Sequence, residues 1–284
     1  MKYKKICNFC KKKLHKKFYV YNYLNSKLDG KFYECKVCDV IINLSPHKKL
    51  YKNQDSVNYN LNKNIFFYLK QVFLLMFIIK IRRFFFNKKK VLDYGCGSGE
   101  LSSLLSLVFK RNNFYTCDVF NLKKKFIPNI KKHYLLNTNK FPNKKFDIII
   151  MRHVFEHLIE LKTFVKKIKY NLRNNSSHLM IEVPNINSIW RKIMNRRWPG
   201  YFYPYHNYVF SENFLKNFFL KNGYKITSEI RFEAPIFGTF FLTFGLNRFC
   251  CKFFSILIYP LQFLISKIFS SSESIMIIVR KNSD

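Results

Sequence analysis

Three groups of residues in this chain have the types and spacing that chemistry requires. The first is Asp93-Tyr94-Gly95-Cys96-Gly97-Ser98-Gly99, an acid followed by glycines at alternate positions. Such glycines let the backbone bend sharply and let a ligand come where a Cβ would intrude. The second is two Cys-x2-Cys pairs, Cys7 with Cys10 and Cys35 with Cys38, on either side of a Lys-rich spacer. Each pair can present two thiolates to one metal, and four thiolates form the closed tetrahedral site of structural zinc. The third is a set of imidazoles: His153, His157 beside Glu156, and His206. Imidazole can take a proton from a hydroxyl near neutral pH.

Two rival readings of the glycine turn fail. A dinucleotide fingerprint needs its third glycine one place later, where Glu100 stands and would repel a pyrophosphate. A phosphate-cradling loop needs Gly-Lys-Ser/Thr, which does not follow. Asp118, just after the second strand of the domain, can instead accept hydrogen bonds from both hydroxyls of a ribose.

The elements that must position these groups are legible in the hydrophobic pattern. From Lys90 onward, short apolar runs alternate with amphipathic segments, as in a parallel sheet covered by helices. Strands are predicted over 90–94, 113–117, 133–136, 146–151, 178–183, 225–232 and 274–280. The fourth, Phe-Asp-Ile-Ile-Ile-Met, is nearly continuous apolar, as expected of a strand buried on both faces. Helices are predicted over 100–110 and 161–172, and from an N-cap at Ser211 to Asn222, with Gly223 ending the last. Ahead of the sheet, residues 51–89 read as mostly helical, with Ile65, Leu69, Val72, Phe73, Met76 and Phe77 close to a helical repeat. The chain thus divides into a cysteine module over 1–50, a helical lead-in over 51–89 and an α/β domain over 90–284. An apolar segment at 236–270 is inserted between the last two strands. Flanked by sheet strands, it must return to the sheet and cannot cross a bilayer. It is expected to cover the active site; the rival is an interfacial helix pair docking on anionic lipid through Lys252 and Lys267.

At 284 residues and 48 % hydrophobic content, a mainly disordered chain is excluded. Lys and Arg number 51 against 16 acids, a net charge of +35 that attracts nucleic acid or an anionic membrane. Lys, Asn, Phe, Ile and Tyr, all encodable by A and T alone, are over-used, so much of this charge is expected to be compositional. Apolar runs at 72–79 and 253–265 fall short of the roughly 20 residues a spanning helix needs. The N-terminus lacks the apolar core of a signal peptide, so the chain is expected in the cytoplasm, in part at the inner membrane face. Its cysteines are then reduced, which favours zinc over disulfides.

Val91-Leu92-Asp93-Tyr94-Gly95-Cys96-Gly97-Ser98-Gly99 resembles the first motif of class I methyltransferases that use S-adenosylmethionine (SAM). Phe146 through His157 resembles their fourth-strand motif, in the form ending Glu-His, and Ile181-Glu182-Val183-Pro184-Asn185 the end of their fifth strand. The segment from Cys38 to Tyr51 resembles the zinc-ribbon leader of one subgroup. The resemblance implies a Rossmann-like seven-stranded sheet with its last strand antiparallel. It implies that Asp93, Gly95, Cys96, Gly97 and Gly99 form the cofactor loop, that Asp118 holds the ribose and that Asn137 meets the adenine. Arg152 and His153 would close the sulfonium side. Trp198 through His206 resembles the substrate-facing insertion, which makes His206 the expected general base, with His157 and Glu156 the other candidate catalytic residues. The acceptor implied is a small molecule, sugar or lipid-linked intermediate, methylated on oxygen or carbon. The rivals are an RNA methyltransferase and a non-catalytic module holding SAM or metal. No Asn/Asp-Pro-Pro-Tyr/Phe follows the fourth strand, which disfavours amino-group methylation, and no cysteine lies near it to attack a pyrimidine.

Overall fold

The computed structural model describes residues 6–14, 16–23, 25–44, 65–119, 129–136 and 141–282. In chain order the elements are β1 (Lys16–Val20), β2 (Gly30–Cys35), β3 (Val40–Asn43), α1 (Ile65–Ile81), β4 (Lys90–Tyr94), α2 (Glu100–Val108), β5 (Asn113–Asp118), β6 (Ile130–Leu135) and β7 (Ile148–Arg152). There follow α3 (Leu161–Lys169), β8 (His178–Pro184), α4 (Ile189–Met194), β9 (Tyr208–Phe210), α5 (Glu212–Lys221), β10 (Tyr224–Phe232), α6 (Phe237–Leu242), α7 (Arg248–Ile268) and β11 (Ser274–Lys281).

Among the described residues the larger sheet has seven strands in the order β10-β11-β8-β7-β4-β5-β6. The ladders from β8 to β6 are parallel, and β11 runs antiparallel to both β8 and β10. The order reverses at β4, so the glycine turn that follows it sits at the topological switch point, outside the carboxyl ends of the strands. Central strands are apolar on both faces because helices cover both: Ile148 to Met151 are all essentially unexposed. Ser211 caps α5 as its sequence predicts, its hydroxyl accepting from Phe214 N at 3.0 Å. That helix turns Phe214, Leu215, Phe218 and Phe219 inward at helical spacing.

The cysteine module is not closed on itself. Its strands β1, β2 and β3 form a second sheet whose fourth strand is β9, from deep in the α/β domain, with Ile41 opposite Val209. Cys7, Tyr33 and Ile42 share one core with Leu92, Phe155 and Phe210. Two further histidines are tied into the larger sheet. His133 Nδ1 lies 3.0 Å from Thr116 Oγ1, and His178 Nε2 accepts from Arg280 Nε at 2.8 Å.

The segment after β10 forms α6 and α7, and α7 is inside out. Its buried stripe is Cys251, Ser255, Gln262 and Ser266, while Leu257 and Ile268 are 65 % and 68 % exposed. Gln262 explains how it is held: its amide donates to Glu233 and Ala234 O, and its oxygen accepts from Ile236 N. Among the described residues α7 alone is long and apolar enough to cross a membrane. The strands that flank the α6–α7 segment, β10 and β11, pair with each other in one sheet, so the segment leaves the sheet and returns to it.

Candidate active site

The glycine loop is built by backbone conformations that need its glycines. Gly95, Gly97 and Gly99 have φ of 73°, 54° and 75°. At Gly95 a Cβ would stand 2.4 Å from Val154 Cγ2, so only glycine lets the β4 end and the β7 exit approach so closely. Cys117 O accepts from both Gly95 N and Cys96 N, and Gly97 N donates to Asp118 Oδ2 at 2.7 Å. Asp93 accepts from Ser102 Oγ at 2.6 Å, and burial pushes its carboxyl up to about 6. Gly99 occupies the N-cap position of α2 and Glu100 its first turn, where Lys70 of α1 pairs with it at 2.8 Å.

The loop opens on a cavity of about 1310 Å³. Asp93, Gly95, Cys96 and Gly97 line one side, and Phe73 and Phe77 of α1 a second. Gly238 of α6 and Ser255, Tyr259 and Phe263 of α7 form the opposite wall. Phe73 and Tyr259 meet edge to face at 4.7 Å, joining α1 to α7 across it.

Its floor is a row of alternating basic and acidic side chains. Arg152 Nε donates to Glu182 Oε2 at 2.5 Å, and Ser274 Oγ donates to Glu182 Oε1 at 2.8 Å. The Arg152 guanidinium lies 4.1 Å over the Phe77 ring. Beyond Glu182 comes His153, with Nε2 3.7 Å from Glu182 Oε1 and Nδ1 3.4 Å from Glu156 Oε1. Burial draws its pKa down, but the two carboxylates outweigh it and hold the imidazole above its ordinary range. His153 has φ of 51°, a left-handed conformation that turns the chain off β7.

The expected site residues thus separate into two groups. Asp93, Gly95, Cys96, Gly97, Arg152 and His153 line the cavity. Asp118, expected to hold a ribose, is buried and braces the loop through Gly97, and is not among the lining residues. Gly99 shapes the turn without lining it, and Asn137 lies outside the described residues. His206, His157 and Glu156 do not line the cavity. His206 is buried with Nδ1 2.9 Å from Gly200 O, and burial with the neighbouring His157 pushes its pKa down to about 3. His206 thus lies apart from this cavity and from the glycine loop. Glu156 is wholly buried, one layer behind His153. Sequence reasoning missed the part Glu182 plays. Its signal was present: one acid inside the apolar strand Leu-Met-Ile-Glu-Val, where an unpaired charge is not tolerated.

The four module cysteines meet as their spacing predicts. Cys7 Sγ is 3.8 Å from Cys38 Sγ, Cys10 Sγ is 3.6 Å from Cys35 Sγ, and all four sulfurs lie within 4.8 Å of one another.

A glycine turn at the switch point of a seven-stranded sheet, opening on a cavity wide enough for a nucleoside, defines a nucleoside-cofactor enzyme of the α/β class. A family model described as a methyltransferase domain matches residues 68–229, and the chain belongs to that family as a SAM-dependent methyltransferase. Among solved structures, a SAM-dependent methyltransferase from Archaeoglobus fulgidus is similar at 20 % identity and a TM-score of 0.50, over 77 % of this chain and 100 % of that one. A protein from Bacillus halodurans C-125 is similar at 13 % identity and a TM-score of 0.50, over 72 % and 99 %. Both are likenesses of fold. No curated protein sequence matches.

Proposed function

We propose that the chain methylates oxygen or carbon of a small-molecule, sugar or lipid-linked acceptor, with His153 taking the acceptor's proton. The carrying observation is that His153 is the imidazole, among the described residues, that lines the same cavity as the glycine loop. The residues present fit SAM: Gly95, Cys96 and Gly97 of the turn and the buried acid Asp93 line the cavity at the switch point of the sheet. Bound there, SAM supplies an electrophilic methyl on a sulfonium. The chain contributes alignment for in-line displacement and the exclusion of water by the α1 and α7 walls. Glu182 and Glu156, flanking His153, hold its ring at the cavity floor.

Two further parts of the reading rest on observations outside the cavity. Four soft sulfurs gathered at one point suit structural zinc, which would fasten β2 and β3 over the α/β domain. The apolar outer face of α7, next to the cavity wall and flanked by Arg248, Lys252 and Lys267, suits the surface of an anionic membrane. That outer face supports a lipid-linked acceptor over RNA, because a surface that grips phosphates would present bases where Leu257, Leu261 and Leu264 stand exposed.

The test uses SAM with a labelled methyl in cell extracts, followed by kinetics on the labelled product. His153→Gln is expected to lower kcat by about 10²- to 10⁴-fold while SAM affinity by calorimetry changes little. An unchanged kcat removes His153 from the mechanism, and absence of any labelled product removes the acceptor reading.

A further inference from the structure

Glu156 is held where a carboxylate is difficult to keep. Its side chain is 0 % exposed, and neither carboxylate oxygen has a hydrogen-bond donor. A buried carboxylate so placed is strongly unfavourable unless a positive charge joins it.

The rings around it present lone pairs. His206 Nδ1 lies 2.9 Å from Gly200 O, and His157 Nδ1 lies 2.9 Å from Tyr205 O. A carbonyl oxygen only accepts, so each neutral ring carries its proton on Nδ1 and its lone pair on Nε2. His206 Nε2 therefore faces Glu156 Oε1, 3.8 Å away, as acceptor against acceptor. The two rings stand edge to face at 4.7 Å, and one ligand atom from each of Glu156, His157 and His206 lies within 4.8 Å of the other two. Backbone carbonyls on Nδ1 are the outer partners that orient metal-binding imidazoles. Asn207 fixes the two loops together, its N donating to Glu156 O and its side chain to His157 O.

We propose that Glu156, His157 and His206 bind a divalent first-row transition ion. Two imidazoles and one carboxylate are a donor set for zinc, iron(II), manganese or cobalt, distinct from the four thiolates of the cysteine module. The ion adds positive charge at Glu156 beyond what the His153 contact can give, and sits one residue behind the cavity-lining His153. The site is independent of how the cavity is read. The competing source of charge is an imidazolium at His153, 3.4 Å from the same oxygen.

The test is full-length protein produced in cobalt-supplemented minimal medium. Two Co²⁺ per chain are expected, one with intense thiolate-to-cobalt charge-transfer bands and one with ligand-field bands alone. Glu156→Gln and His206→Gln should each lose the second equivalent, its Kd rising at least about 100-fold. They should keep the thiolate bands, which show that the fold survives. Should either variant fail to fold, pulsed EPR of wild-type protein carrying Cu²⁺ should show imidazole nitrogens at the second ion. A single Co²⁺ with only the thiolate signature, a second equivalent untouched by Glu156→Gln, or a second copper without imidazole nitrogens overturns the proposal. SAM binding by calorimetry in the same samples separates its failure from failure of the cavity reading.

Discussion

At the scale of single residues, the site depends on one carbon atom that is missing. Gly95 combines a left-handed backbone with a Cβ position 2.4 Å from Val154 Cγ2. Gly95→Ala therefore carries a backbone strain of about 1–2 kcal/mol and a steric shift that pushes Val154 or the loop into the cavity. Calorimetry on the variant should show SAM binding weakened about tenfold or more. Adding Val154→Ala should restore part of that loss and not all of it, because the strain in φ remains. Full recovery in the double variant would show that contact alone matters. The same scale explains why His153 rather than His206 faces the cavity. Both are aromatic bases in candidate motifs, but one emerges from β7 in a left-handed turn at the cavity floor, and the other folds back onto Gly200 O.

At the scale of elements, α7 inverts the usual pattern of a surface helix. Its polar and small residues point inward because Gln262 and Ser266 satisfy buried groups of Glu233, Ala234, Ile236 and Trp190. Its leucines and phenylalanines are left outward, and exposed apolar patches of that extent mark contact surfaces. Leu257→Ser with Leu264→Ser should leave Tm nearly unchanged, since both side chains are more than half exposed. Co-sedimentation with phosphatidylserine-containing vesicles should fall about tenfold or more, by the loss of roughly 1.5–3 kcal/mol of burial per leucine. Wild-type protein should bind less as salt rises and less to neutral vesicles. Binding that ignores both substitutions would place the contact elsewhere. The helical repeat before β4 was readable in sequence, and so was the apolar segment after β10. Which face of each turns inward was not, because α1 is apolar nearly all round and α7 turns its polar stripe inward, the reverse of what its periodicity implies.

At the scale of the molecule, distant segments are fastened by buried carboxyls. Glu273, at the entry to β11, accepts from Ser188 Oγ at 2.9 Å and Trp198 Nε1 at 3.2 Å, joining the β8 exit and the tryptophan loop. Burial pushes its carboxyl up to about 8, so the folded protein keeps a proton that the unfolded chain loses near 4.5. Below that lower value both states hold the proton and its stabilisation is complete. Between about 4.5 and 8 unfolding releases a proton, so stability falls as pH rises. His178 and His206, whose folded pKa values are pushed down, act in the opposite sense below their ordinary value. The measurement is therefore the difference between wild type and Glu273→Gln in urea unfolding from pH 5 to 8. The wild type should lose stability relative to the variant by up to about 1.4 kcal/mol per pH unit. A constant difference would mean that Glu273 is already ionised in the folded state.

Local chemistry settled much of this protein before any tertiary contact formed. Alternating glycines after an apolar strand point to a sharp bend that can admit a ligand, cysteine pairs with two residues between them can present two thiolates to one point, and apolar runs of strand length call for a covered parallel sheet. Those readings use short-range geometry, which sequence spacing encodes directly. The three-residue β9 was too short to read, yet it joins the cysteine module to the catalytic domain by pairing with β3. The same long-range closure put His206 behind the cavity wall, turned Asp118 onto Gly97 and brought Glu182 to the floor. Which of several eligible side chains meets the cavity depends on contacts between residues far apart in the chain, and only the folded structure brings those together.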